Sequence, residues 1–159
     1  MEIERRLMMG FTREVVVKAP VEEVFEVVSN FKHAEEAMDH VTGVEILTDG
    51  PIGVGTEIKE TRQIKKFEAS SVLKVTEYEK NRRFVVQSEQ NNLLLEYVYI
   101  FKEVKEGTRV EFEGKINTKG IRNRLMKPLI TYIIKKEDSE HLNQMKKFVE
   151  NRSDQKTDE

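Results

Sequence analysis

Cysteine and tryptophan are both missing from the 159 residues, proline occurs only three times, and glycine eight. Without cysteine there can be no disulfide, thiolate nucleophile, Cys-type zinc site or iron–sulfur ligation, and such a chain suits a reducing compartment. Long apolar runs are lacking as well. The most apolar stretch, Leu125 to Ile134, is interrupted by Lys127 and Pro128 and falls far short of the ~20 residues a helix needs to cross a bilayer. Met1 to Gly10 carries Glu2, Glu4, Arg5 and Arg6, so it does not read as a signal peptide, and the expected location is the cytoplasm. Charge of one sign is also absent: 27 Lys and Arg stand against 29 Asp and Glu, for a net charge of −2. No whole-chain field therefore draws in nucleic acid or an anionic membrane, and no nucleic-acid role is expected.

The length suits one hydrophobic core. Residues 1–150 are expected to form a single domain, and residues 151–159, which hold no apolar side chain, a disordered polar tail. Phe11 to Val17 is rich in β-formers and ends at Ala19-Pro20, where proline suits the first turn of a helix but not a continuing strand. Val21, Val24, Phe25 and Val28 then recur at helical spacing, with Glu22, Glu23 and Glu26 toward the positive end of the helix dipole. Ser29-Asn30 is a plausible stop. A second short helix is expected over Lys32 to Asp39, where Ala34, Ala37 and Met38 give a weak apolar face.

From Val44 to Asn117 the period changes to two, punctuated at Asp49-Gly50-Pro51, Gly53, Gly55, Lys80-Asn81, Asn91-Asn92 and Glu106-Gly107. This predicts six consecutive antiparallel strands: Val44 to Thr48, Thr56 to Lys65, Phe67 to Tyr78, Arg83 to Ser88, Leu93 to Val104 and Thr108 to Asn117. In the last, Val110, Phe112, Gly114 and Ile116 alternate with Arg109, Glu111, Glu113 and Lys115, giving one buried and one wet face. After Gly120 the period is helical again, through Ile121, Leu125, Leu129 and Ile133, then Leu142, Met145 and Val149. Pro128 either starts this long helix or kinks it. The expected class is α+β: a curved seven-stranded antiparallel sheet gripping a long C-terminal helix, with two short helices after the first strand. A hollow can survive between sheet and helix.

Several segments carry a resemblance: Ala19-Pro20-Val21-Glu22-Glu23-Val24-Phe25, Leu47-Thr-Asp-Gly-Pro-Ile-Gly-Val-Gly-Thr56, Glu60-Thr-Arg62, Val75-Thr-Glu-Tyr78 and Gly107-Thr-Arg-Val110. Over roughly Phe11 to Glu150 the chain resembles the START and birch-pollen-allergen-like (SRPBCC) superfamily, in its bacterial polyketide cyclase/dehydrase-like branch. The resemblance implies a helix-grip fold with an internal cavity, on a scaffold shared by lipid carriers, hormone receptors, cyclases and co-chaperones. It also implies that the loop with Gly50, Gly53 and Gly55 borders the cavity mouth. That branch often has a tryptophan after the first helix, where this chain offers Phe31 and Met38.

Alternation through Ile58, Glu60, Arg62 and Ile64 puts two charges on the face that holds two isoleucines. Glu60 and Arg62 can meet as a structural ion pair or converge on a polar ligand head, and they are the sharpest catalytic candidates. Tyr97, Tyr99 and Phe101 share a face that a turn would bring beside Phe112 and Val110, either as plain core or as pocket wall with polar tips. A one-residue slip would turn Val98 and Ile100 inward instead. Phe67, Ser71 and Leu73 are expected to line the neighbouring strand, and Met126, Leu129, Tyr132 and Ile133 to close the hollow from the helix. His33 and His40, seven apart with Glu36 nearby, match no metal signature and read as solvent-exposed, while His141 near Glu137 and Asp138 reads as a surface polar cluster. No metal and no cofactor is expected. Lys119 to Lys136 carries six Lys and Arg and no acid, either a solvated helix face or a peripheral membrane contact. Leu94, Val98 and Ile100 on the convex face would permit a homodimer in place of a monomer.

The leading expectation is non-catalytic binding or transport of a hydrophobic small molecule of lipid, quinone or polyketide/aromatic type. The alternatives are a polyketide cyclase/aromatase-like enzyme, with Arg62 stabilising an enolate and Glu60 or a tyrosine moving protons, and an interaction module using the basic segment.

Overall fold

The computed structural model describes residues 9–64, 66–90, 92–118 and 140–156. Strand β1 (Met9–Val17) leads into helix α1 (Val21–Ser29), a 3-10 turn (Phe31–His33) and a one-turn helix α2 (Ala34–Ala37). Six strands follow: β2 (Val41–Ile46), β3 (Glu57–Ile64), β4 (Phe67–Glu79), β5 (Arg83–Gln90), β6 (Leu93–Val104) and β7 (Gly107–Thr118). Helix α3 is described over residues 140–156. All seven strands form one antiparallel sheet in the order β1-β7-β6-β5-β4-β3-β2. Because β1 and β2 are opposite edges, α1 and α2 cross from one edge to the other, which leaves them on the concave face.

Local chemistry accounts for these boundaries. Pro20, extended at φ −62° and ψ 150°, is the N-cap of α1. Its carbonyl accepts from the amides of Glu23 and Val24, so the missing N–H costs nothing there. Val21, Val24, Phe25 and Val28 are buried. At the far end Ser29 Oγ donates to the Phe25 carbonyl at 2.7 Å, competing with the helix as serine does near termini. The turn residues Asn81 and Asn92 take φ of 65° and 61°, which asparagine tolerates better than most residues. Gly107 is obligatory: at φ +145° a Cβ there would lie 2.2 Å from the Val17 carbonyl oxygen.

The core lies between the concave face and the helices. Phe25 on α1 meets Tyr78, Phe84 and Phe101 at centroid distances of 5.3, 6.5 and 5.1 Å, edge-on as aromatic quadrupoles prefer. Leu142, Met145 and Val149 of α3 join the same cluster. Buried residues of β7 alternate with partly exposed ones from Thr108 to Ile116, as the sequence predicts.

Three expectations need correction. The second helix is a 3-10 turn and one α-turn, and β2 starts at Val41; Met38 is already extended at φ −128°. Residues 151–156, expected to be a disordered tail, continue α3. Arg152 and Lys156 reach Glu26 and Glu23 of α1 at 3.7 and 3.8 Å, and Glu150 accepts from the Lys18 amide at 3.0 Å, so charge pairing holds a segment with no apolar residue. Val98 is 2% exposed and not a surface residue: it faces Val85, equally buried, across the β5–β6 pairing. Leu94 and Ile100 are half-buried. The basic stretch from Lys119 to Lys136, and Pro128 within it, lie outside the described residues.

Candidate functional site

The curved sheet and its helical cover enclose a hollow of about 40 Å³. Each side of it comes from a periodicity. On β3, alternation carries Ile58 into the core and Glu60 and Arg62 toward the hollow. Leu73 of β4, Phe84 and Val86 of β5, and Tyr97 and Tyr99 of β6 continue the wall by the same period of two. Val27 and Val28 of α1 form the roof with Phe31, Ala34, Ala37 and Met38. His141 and Met145, one helical turn apart on α3, complete the lining.

The walls are apolar and the polar groups are concentrated. Glu60 is 3% exposed, and its Oε1 accepts from Arg62 Nε at 2.5 Å. A buried carboxylate without such a partner would be costly. Tyr99 Oη lies 3.1 Å from His141 Nε2 in a buried contact, and the Tyr99 ring packs 4.9 Å from that of Phe112. His141 is 7% exposed. Burial first, and then the positive charges of Arg62 and His40, push its imidazole down from 6.5 to about 3, so it is neutral at physiological pH. His141 Nδ1 is buried with no hydrogen-bond partner among the described residues. A neutral imidazole with one nitrogen engaged by a phenol and the other without a partner can hydrogen-bond a ligand oxygen.

A second polar cluster closes the outer edge of the hollow. His33 Nε2 lies 2.9 Å from Glu26 Oε1, and Asn30 Nδ2 donates to the same oxygen at 3.1 Å. Burial raises the Glu26 carboxyl, but the His33 and Asn30 hydrogen bonds and the charges of His33 and Arg152 outweigh it and hold the group below the ordinary carboxylate value. Arg152 also lies over the Phe148 ring at 5.7 Å. These contacts tie α3 to α1 beside the hollow.

Of the residues the sequence singles out, Glu60, Arg62, Leu73, Tyr97 and Tyr99 come together around the hollow. The expected inward register of β6 holds, with Tyr97, Tyr99 and Phe101 all buried. Ile58, Phe101 and Phe112 are core residues and do not border it. Ser71 sits opposite Glu60 in the β3–β4 pairing and is half-buried, outside the lining. Phe67 is 76% exposed, at the first position of β4 beside the β3–β4 turn. Met126, Leu129, Tyr132 and Ile133 lie outside the described residues.

The histidines also depart from expectation. His33 and His40, expected to be solvent-exposed, are half-buried, and His33 Nε2 lies 2.9 Å from Glu26 Oε1. His141 belongs to the buried site and not to a surface cluster. Its signal was readable: four residues before Met145 and eight before Val149, it falls on their apolar stripe. The lining from Phe31 to Met38 had no comparable pattern.

A family model described as polyketide cyclase/dehydrase and lipid transport matches residues 8–150. No curated protein matches the chain. Among solved structures, the Zhui aromatase/cyclase from Streptomyces sp. R1128 superposes with a TM-score of 0.79 at 13% identity, covering 92% of this chain and 96% of that one. A norcoclaurine synthase point mutant from Thalictrum, in complex with a transition-state analogue, gives 0.70 at 17% over 92% and 96%. Ara h 8.0201 gives 0.69 at 15% over 89% and 97%. At these identities the likeness is one of fold.

Proposed function

Because the chain belongs to the polyketide cyclase/dehydrase and lipid transport family of the SRPBCC superfamily, we propose that it binds a hydrophobic small molecule in the hollow under α1 and α2 and carries it without altering it. The observation that supports this reading is the division of the site into an apolar wall and one polar corner made by Glu60, Arg62, Tyr99 and His141. Apolar walls supply affinity, and a few placed polar groups supply orientation. The hollow as it stands has room for about three water molecules, and an aromatic ring needs a cavity nearer ~150 Å³. Ligand entry therefore requires the cover to move. The span from Phe31 to Met38 is the part suited to it, being two single turns with methionine at its end, and Met38 and Met145 are unbranched side chains that repack easily.

A second reading, an aromatase/cyclase-like enzyme, draws support from the same polar corner. In that reading the Arg62 guanidinium stabilises an enolate, Glu60 or Tyr99 moves the proton, and the neutral His141 imidazole orients the ligand oxygen. The two readings separate on one measurement, mass spectrometry of the purified protein under native and then denaturing conditions. A carrier releases a copurified or added ligand with its mass unchanged, whereas a cyclase/dehydratase returns it lighter by one water. A protein that stays empty after exposure to lipids, quinones and aromatic polyketides would refute both.

A further inference from the structure

We infer that the pocket selects uncharged ligands that present a hydroxyl or carbonyl oxygen to His141, and that it rejects carboxylates of the same shape. The inference rests on the binding reading above and specifies the ligand's polar end.

Among the described residues, the charges that line the hollow are paired. Among the described residues Arg62 is the arginine that lines the hollow, and the Glu60 carboxylate occupies its Nε side at 2.5 Å. His33 is turned to Glu26 at 2.9 Å, and Asn30 donates to that same carboxylate. An entering anion would have to sit beside Glu60 or displace it from Arg62. Glu60 is 3% exposed, so a displaced carboxylate would be left buried and unpaired, and like charges crowded in a low-dielectric site repel strongly. His141 offers no positive charge in compensation, since its surroundings keep it neutral.

A neutral oxygen meets the opposite situation. His141 Nδ1 is buried without a hydrogen-bond partner among the described residues, while Nε2 is engaged by Tyr99. If Tyr99 donates to Nε2, Nδ1 carries the proton and seeks an acceptor such as a carbonyl. If Tyr99 accepts, Nδ1 is a lone pair that seeks a hydroxyl. The alcohol oxygen satisfies either tautomer, because a hydroxyl both donates and accepts. In each case the ligand removes the desolvation cost of an unmade bond.

The test is a nitrogen-detected NMR titration of the full-length protein at neutral pH, following the His141 Nδ1 resonance, with two shape-matched pairs: 2-naphthol against 2-naphthoate, and hexan-1-ol against hexanoate. The alcohol of each pair is expected to bind at least about tenfold tighter than the acid. Glu60→Gln deletes one negative charge at the Arg62 side and should move that ratio about tenfold toward the acid. The double variant Glu60→Gln/Arg62→Gln, neutral like the native pair, should keep the alcohol preference, and it guards against a Glu60→Gln protein that fails to fold. Acids binding as tightly as alcohols to the unmodified protein would overturn the inference while leaving the binding reading intact. If neither member of either pair moves the His141 resonance at millimolar concentration, the binding reading fails and the inference with it.

Discussion

Arg62 on β3 and Arg83 on β5 each hold Nε 2.5 Å from a glutamate oxygen, in one case of Glu60 and in the other of Glu77. The contacts match, but the surroundings do not. The Glu60 side chain keeps 4% of its accessible surface and that of Glu77 keeps 49%. The first pair faces the hollow; the second is on the convex side, where Lys102–Glu111, Arg109–Glu14 and Lys115–Glu96 form similar cross-strand links. Distance alone therefore says little about what an ion pair contributes. What decides it is whether water can take over when one partner is removed.

The comparison is broken most directly from the buried side. Arg62→Met keeps an apolar stem and leaves Glu60 buried without its guanidinium, and urea unfolding should show a loss of about 3–5 kcal/mol. Replacing both partners, Glu60→Leu with Arg62→Met, should restore stability to the native level or above it, since the double variant strands no charge. A single-variant loss below about 1 kcal/mol would mean that the buried pair behaves like a surface one.

His141 sharpens the same contrast from another direction, as a buried group that stays neutral in place of finding a counter-charge. Its value falls from 6.5 to about 3 on folding. Within that window the unfolded chain binds a proton that the folded protein refuses, so stability falls as pH is lowered from 6.5 toward 3. The slope approaches about 1.4 kcal/mol per pH unit, or about 2 kcal/mol by pH 5. His141→Gln should be flatter than the native protein by that amount in unfolding measurements at stepped pH. Parallel curves for the two proteins would show that His141 titrates normally in the fold.

Sequence patterns made the sheet legible because a period of two is imposed on every residue of a strand. The alternation of Val110, Phe112, Gly114 and Ile116 settled β7, and the inward set Tyr97, Tyr99 and Phe101 followed on β6. The same rule placed Glu60 and Arg62 together. It could not say how deeply each position on a face is buried, and so Phe67, on the correct face for lining, is 76% exposed. Nor could it pair elements far apart in the chain: the Tyr99–His141 contact spans 42 residues, and Asp138 and Glu137 beside His141 in sequence suggested a wet surface. Polar neighbours along a chain describe a helix's other face as readily as the one in question.

The smallest expected effect tests the exposed side. Glu77→Gln removes the charge that Arg83 contacts, but Arg83 keeps 35% of its side-chain surface accessible, so solvent can replace the lost partner. The expected change is about 0–1 kcal/mol. It should shrink further in high salt, because counter-ions screen an exposed pair within about 3 Å at ~1 M. The Arg62→Met loss should persist under the same salt, since ions cannot reach a carboxylate with 4% of its surface exposed. A salt titration of both variants thus separates the two pairs without relying on the size of either effect: equal salt sensitivity would mean that water already reaches Glu60, and that the polar corner of the hollow is open.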